Sequence, residues 1–321
     1  MEELDLKDKK ILFELDFGAR QSYSEIAKKV RLSKQVVEYR IKNLEKKGII
    51  KGYYAVVNVP KFGYTYCRTS LVLQNISPEE TKKLYDELSK DPHAFWIFEV
   101  QGEFDLFFAS WCKNITEFKK FTESVMIRYG KFIKIKVENI ATDVIHYQHR
   151  YLLKKKETAE IHIKETSEHV QIDDVDKKIL MILCENARIP LIDIAVKVKE
   201  SSKTVAYRIR KMEKQKIIEA YRTIIDHNKL GFTYYKIFLN INNYTQHDLL
   251  GLKEFIKNNS STIYYIEGIG LHSDIDFEMM VKDNQELFDF IKLLRKEFPK
   301  IVGNYTTAIF MDTIKVKYLP F

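Results

Sequence analysis

The side chains best equipped for chemistry in this chain form two matched sets of amides, phenols and cations. Gln35, Tyr39, Lys42 and Lys46 make the first set, and Lys203, Tyr207, Arg210 and Lys214 make the second. At 100° per residue each set falls on one helix face, opposite an apolar face that in the first case is Val37, Ile41 and Leu44. Amide and hydroxyl groups hydrogen-bond base edges, and ammonium or guanidinium groups neutralise phosphates, so such a face suits the major groove of double-stranded DNA. The N-terminal half of a groove helix enters deepest, which makes Gln35, Tyr39, Lys203 and Tyr207 candidates for base contact. Lys34, Lys42, Lys46, Arg210 and Lys214 are candidates for phosphate. Ser33, Glu38, Ser201 and Ser202 flank these stripes and join the expected interface. Arg40 and Arg208 sit at the edge of the apolar face, where each either reaches a phosphate or pairs with an acid of its own domain. A solvated surface helix carries similar charges, so the surrounding elements decide between the readings.

Those elements repeat. Asp8-Lys9-Lys10-Ile11-Leu12 returns 168 positions later as Asp176-Lys177-Lys178-Ile179-Leu180, and Tyr39-Arg40-Ile41 returns as Tyr207-Arg208-Ile209. From Asp8 to Tyr66 the register holds without a gap, with 26 identities in 59 positions. Chance gives about three, so the chain is a tandem duplication. Within a copy, residues 5–17 have apolar positions at helical spacing and residues 25–30 form a short second helix. Ser33 is placed to cap a third helix that runs to Lys47 and stops at Gly48, and residues 50–57 alternate as a strand. Three short helices and a strand make a winged helix-turn-helix.

After Gly63 the periodicity changes. Strands are expected at 66–73, 95–100, 106–112, 132–137 and 143–147, with helices at 78–88 and 115–129. The order βαββαβ is that of a ferredoxin-like sandwich. The expected organisation is α+β, two winged helix-turn-helix domains (1–62 and 173–230) alternating with two ferredoxin-like regulatory domains (63–150 and 231–321), around a polar linker (151–172) with room for a short strand at its centre.

Composition sets the outer limits. With 321 residues, 45% hydrophobic and 31% charged, the chain suits two to four compact domains. No apolar run reaches the ~18 residues of a membrane span, and the charged start MEELDLKDKK lacks a signal peptide's apolar core. Three scattered cysteines, Cys67, Cys112 and Cys184, argue for a reducing cytoplasm rather than a disulfide framework. The net charge of +8 comes from the expected helix-turn-helix halves: residues 1–60 and residues 173–231 each hold 13 basic and 9 acidic side chains. That balance favours an acidic partner.

The chain resembles the leucine-responsive regulatory protein / AsnC (feast–famine) family of transcriptional regulators. The resemblance rests on LDLKDKKIL, Ala19-Arg20, EIAKKVRLS, YRIKNLEKKGIIKGYYAV and FGY in the first copy, and on DKKIL, DIAVKVKES, YRIRKMEKQKII and KLGF in the second. It implies sequence-specific transcription regulation, a small effector such as an amino acid, and assembly through the regulatory sheets. It places the effector near the turns Gly102–Asp105 and Gly270–Asp274. There a glycine lets backbone approach a ligand and an aspartate can accept from an ammonium group, although both are also ordinary turn residues. The family has one such unit per chain, so two units per chain imply a fused dimer, with an oligomer of such chains as a further expectation. Because Lys203 replaces Gln35 and Ala206 replaces Glu38, the two half-sites need not match.

Two non-regulator alternatives stand beside this reading. Sirohaem decarboxylases resemble the same architecture and use histidine and arginine near the regulatory sheet, and Arg222 and His227 lie where such groups would sit. The first copy has Tyr54 and Val59 there. A DNA-coating architectural protein of low sequence preference is the other. His146 and His149, three apart near a strand end, point to opposite faces and have no acidic or cysteine cluster with them, so neither a metal nor a cofactor is expected.

Overall fold

The computed structural model describes residues 3–156 and 159–321. Local signals account for most helix starts. Asp5, Ser22 and Ser33 cap α1 (Leu6–Leu15), α2 (Tyr23–Val30) and α3 (Lys34–Lys46) by accepting the backbone N–H groups of Asp8, Glu25 and Val36. Glu25 returns the bond to Ser22, completing a capping box that starts α2 two residues before the expected position. After Gly48, in the left-handed region at φ 65°, the chain enters β1 (Ile50–Val57).

β2 (Thr65–Leu73), α4 (Pro78–Lys90), β3 (Ala94–Gly102), β4 (Leu106–Cys112), α5 (Ile115–Tyr129) and β5 (Ile133–Tyr147) follow. The two strands expected at 132–137 and 143–147 are one, because β5 pairs with β2 over its first part and changes partner further on. β6 (Glu160–Lys164) lies within the expected linker. The second copy repeats the order: α6 (Asp174–Glu185), α7 (Leu191–Val198), α8 (Ser202–Lys214), β7 (Ile218–Ile225), β8 (Thr233–Ile241), α9 (Gln246–Asn258), β9 (Thr262–Ile269), β10 (Ile275–Val281), α10 (Asn284–Glu297) and β11 (Val302–Val316).

These elements gather into two compact units, each drawing on both copies. The helical unit holds the chain through Asn58, Tyr147–Ile161 and Val170–Phe232. Its apolar helix faces close two cores, Ile11, Leu12, Leu15, Ile26, Val37 and Ile41 in one copy and their counterparts around Ile179, Leu180 and Val205 in the other. β1 and β7 pair antiparallel with each other, and Tyr54 lies opposite its own counterpart Arg222. Part of the expected linker is packed here: Tyr151 and Leu152 are buried, and the Tyr151 ring meets Phe232 edge-on at 4.8 Å.

The sheet unit holds residues 59–146, 162–169 and 233–321. Each copy supplies four strands, in the orders β5-β2-β4-β3 and β11-β8-β10-β9. The two sheets join edge to edge, β3 to β11 and β5 to β9, so the eight strands close into a ring with no free edge among them. β6 adds to β5. In the first copy α4 and α5 cover one face through Leu84, Leu88, Phe121 and Val125, packed on Leu71, Ile97 and Phe108. A second cluster, Val100, Phe104, Phe107, Phe238 and Phe310, joins side chains of the two copies. Each buried aromatic or leucine side chain contributes on the order of 1.5–3 kcal/mol.

Candidate nucleic-acid interface

α3 and α8 present the expected stripes to solvent. Tyr39 is 71% exposed and Tyr207 66%, values that only an outward-facing ring allows. Gln35, Lys42, Lys46, Lys203, Arg210 and Lys214 are exposed with them, as are Ser33, Lys34, Ser201 and Ser202, while Val37, Ile41, Leu44, Val205, Ile209 and Met212 are buried on the opposite face. Ser33 and Ser201 serve as the helix N-caps, the latter accepting from the Thr204 N–H. Glu38 is half-buried.

Arg40 and Arg208 take the second of their two expected roles. Arg40 donates to Asp5 and Asp8, both at 2.8 Å, and Arg208 donates to the matched Asp173 at 2.7 Å and Asp176 at 2.9 Å. The pairs raise both guanidinium pKa values and tie the recognition helix to the start of the first helix in each copy.

The stripes differ where the sequences differ. Lys42 is paired at 2.8 Å with Glu38, one turn earlier, and its ammonium pKa is raised by that contact. Arg210 has Ala206 at the corresponding place and so no carboxylate one turn before it. On the preceding helices, Ser24 and Lys28 of α2 become Ile192 and Val196 of α7, which are 64% and 73% exposed. The first copy therefore carries a cation beside its recognition helix where the second carries an apolar side chain.

The two copies of the helical unit are joined by contacts that repeat about a pseudo-twofold axis. Ala19 N–H donates to the Tyr221 carbonyl at 2.8 Å, and Ala187 N–H to the Tyr53 carbonyl at 2.9 Å. Arg20 donates to the Ala187 and Ile189 carbonyls, and Arg188 to those of Ala19 and Gln21. Each guanidinium also lies against a ring of the other copy, Tyr221 for Arg20 and Tyr53 for Arg188. The sequence carried a signal for these arginines in its repeated Ala-Arg pair, but not what they bridge.

Arg222, only 1% exposed, breaks the symmetry. Its Nε and Nη2 donate to the two carboxylate oxygens of Asp16 at 2.8 and 3.0 Å, and Nη2 also donates to the Tyr147 carbonyl. His149 N–H donates to Asp16 at 2.8 Å. Burial pushes the Asp16 carboxyl up, but Arg222 and His149 together hold it below the usual carboxylate range. Burial pushes the His149 imidazole down to about 4. Arg222, the arginine named in the enzymatic alternative, is thus bonded to an acid of the other copy. His227 is likewise shifted down by burial. His146 belongs to the sheet unit, where it meets the Tyr264 ring edge-on. Among the described residues, no group of three or more histidine, cysteine or acidic side chains is arranged to hold a metal ion.

At the two expected effector turns the aspartates are engaged by backbone. Asp105 accepts the Leu73 N–H at 2.7 Å, and Asp274 accepts the matched Ile241 N–H at 2.8 Å. Gly102 and Gly270 have φ of 133° and 73° and press against the Thr307 and Glu138 carbonyls, where the two copies' sheets join.

Comparison with known proteins agrees with this geometry. A model described as winged helix-turn-helix DNA-binding matches residues 4–51, and one for the AsnC-type helix-turn-helix domain matches residues 172–213. An uncharacterised HTH-type transcriptional regulator of Pyrococcus furiosus is 30% identical over 124 residues, which are 39% of this chain and 82% of that protein. The HTH-type transcriptional regulator LrpB of Bacillus subtilis is 32% identical over 158 residues, covering 44% of this chain and 99% of LrpB. In overall fold the chain is similar to the siroheme decarboxylase NirDL, with a TM-score of 0.63 over 98% of this chain and 94% of that one at 11% identity. The relatives that cover most of their own length in about two fifths of this chain are single regulators, and the chain belongs to the Lrp/AsnC family of DNA-binding helix-turn-helix transcriptional regulators, with two of the family's units in one polypeptide.

Proposed function

We propose that this regulator reads a bipartite DNA site whose two half-sites differ, and that it does so in the cytoplasm without catalysing a reaction. The observation that carries the reading is the pair of exposed, unlike stripes on α3 and α8, held in one compact unit by the β1–β7 pairing. Two recognition helices related by a pseudo-twofold axis suit half-sites about one helical turn apart, roughly 34–36 Å. Gln35, Tyr39, Lys203 and Tyr207 read bases in this scheme, and Lys34, Lys42, Lys46, Arg210 and Lys214 hold phosphates. Free cysteines at positions 67, 112 and 184 are in keeping with a reducing compartment.

Selection from random DNA, followed by footprinting, tests the scheme. An imperfect palindrome or an asymmetric operator is expected. Tyr39→Ala and Tyr207→Ala should each relax preference in one half-site and cost roughly 1–3 kcal/mol on specific DNA only. A perfectly symmetric consensus refutes unlike half-sites, whereas equal losses on specific and random DNA refute base reading by these tyrosines and favour the architectural alternative. The reading includes a small effector, an amino acid by family resemblance, acting at the turns Gly102–Asp105 and Gly270–Asp274. Oligomers of the fused dimer are part of it too, and light scattering that shows one chain at every concentration removes them.

A further inference from the structure

Most contacts between the copies would serve a copy paired with itself as well as with the other. The strand pairing, the Ala19 and Ala187 bonds and the Arg20 and Arg188 bridges are all built from residue types shared by both copies or from backbone. They hold two copies together without choosing which two. The buried charges are different.

In the helical unit Asp16 of the first copy meets Arg222 of the second, both essentially without solvent contact. The matched residues are Cys184 and Tyr54, so the first copy brings an acid and no cation, and the second a cation and no acid. Two first copies would bury two aspartates facing Tyr54, and two second copies would bury two arginines facing Cys184. The sheet unit repeats the arrangement with other residues. Arg68 of the first copy donates to Asp276 of the second at 2.7 Å. Lys236, the counterpart of Arg68, bonds Asp276 and also Glu278 at 3.1 Å. All four side chains are largely buried. By strand register Asp276 and Glu278 correspond to Phe107 and Ala109. Two first copies would therefore bury two arginines and no acid, and two second copies two lysines against four acids. Neutrality at both places is reached only by one copy of each kind.

We infer that these two buried charge sets make pairing between unlike halves obligatory: the partner surface of each half is the other kind of half, never a second copy of itself. An uncompensated buried charge disfavours a like pair by about a hundredfold or more at each unit, and the two penalties act on the same choice. Every molecule then presents one α3 stripe and one α8 stripe. Joining the halves in one chain supplies the correct partner, and the charges reject the wrong one.

The test lets the halves choose. A protease site replacing residues 157–158 is cut in the purified full-length protein, which is then unfolded in urea, refolded by dilution and weighed by native mass spectrometry. Pairs of unlike halves are expected, with like pairs below about 1% of the total. Like pairs approaching half of the total overturn the proposal. A second cut protein carries Asp16→Asn, Arg222→Gln, Arg68→Gln, Lys236→Gln, Asp276→Asn and Glu278→Gln, which keep a polar side chain at each place and remove the charges of both sets. Its like pairs should rise at least tenfold over wild type. Discrimination as strict as wild type in this variant would show that the charges are not its cause. If the variant does not refold, the wild-type ratio decides alone.

Discussion

At the scale of single residues, position within the repeat matters more than residue type. Arg40 and Arg222 are both arginines of the helical unit, yet Arg40 ties one helix to another at the surface and Arg222 neutralises a buried acid. The same buried cluster sets a pH response. His149 titrates in the unfolded chain near 6.5 but in the folded protein only near 4, because burial disfavours its charged form. Between those values the unfolded state binds the extra proton, so stability falls as pH is lowered, by roughly 1 kcal/mol per pH unit. Asp16 acts below that window. Its depressed pKa contributes stability that is present above the usual carboxylate range and is lost as pH falls through the folded value. Urea midpoints measured from pH 7 to pH 4 should therefore drop, and His149→Phe should flatten the drop between pH 6.5 and 4. An unchanged slope in that variant would assign the response to other groups. His149 was visible in the sequence. Its burial was not, because it lies against the pair of residues 16 and 222, which are 206 positions apart.

At the scale of elements, the helices follow local rules and the strands do not. Ser33 caps α3 through the N–H of Val36, three residues away, so the helix start was legible from a short window. β5 was expected as two strands because its partners, β2 and β9, lie far off in sequence and only their pairing keeps it continuous. In the join of β3 to β11 one backbone position is closely confined. Gly102 has a φ of 133°, and a Cβ there would stand 2.3 Å from the Thr307 carbonyl oxygen, which belongs to the backbone and cannot swing aside. Gly102→Ala is predicted to lower the stability of the protein by at least about 1–3 kcal/mol in denaturant unfolding. A change within 0.5 kcal/mol would mean that the turn relaxes freely.

At the scale of the whole molecule, duplication turns a symmetric design into an asymmetric one. The shared residues keep the pseudo-twofold framework, and some of the diverged ones sit where the copies meet, as Asp16 and Arg222 do, or face solvent, as Gln35 and Lys203 do. Effector action belongs to this scale, since a ligand changes DNA affinity only through a free-energy difference between states of the protein. DNA titrations with and without each amino acid should show an affinity change of at least about fivefold for an effector, and the change should be weakened in Asp105→Asn and Asp274→Asn. Identical isotherms with every amino acid would remove these turns as amino-acid sites.

By itself the sequence determined the duplication, the helix-turn-helix halves, the α+β order of the regulatory halves and the outward stripes at 35–46 and 203–214. Each of these is written in spacings of a few residues or in identity at a fixed offset, and local geometry translates such signals directly into helices and faces. Tertiary structure decided which copies pair, that two four-stranded sheets close into one ring, and that Asp16, Arg222, Arg68 and Asp276 are buried partners. Those outcomes rest on contacts between residues more than 100 positions apart. Nothing in a local window records the loss of water around a charge, and that loss is what turns six ordinary charged side chains into the proposed determinants of pairing.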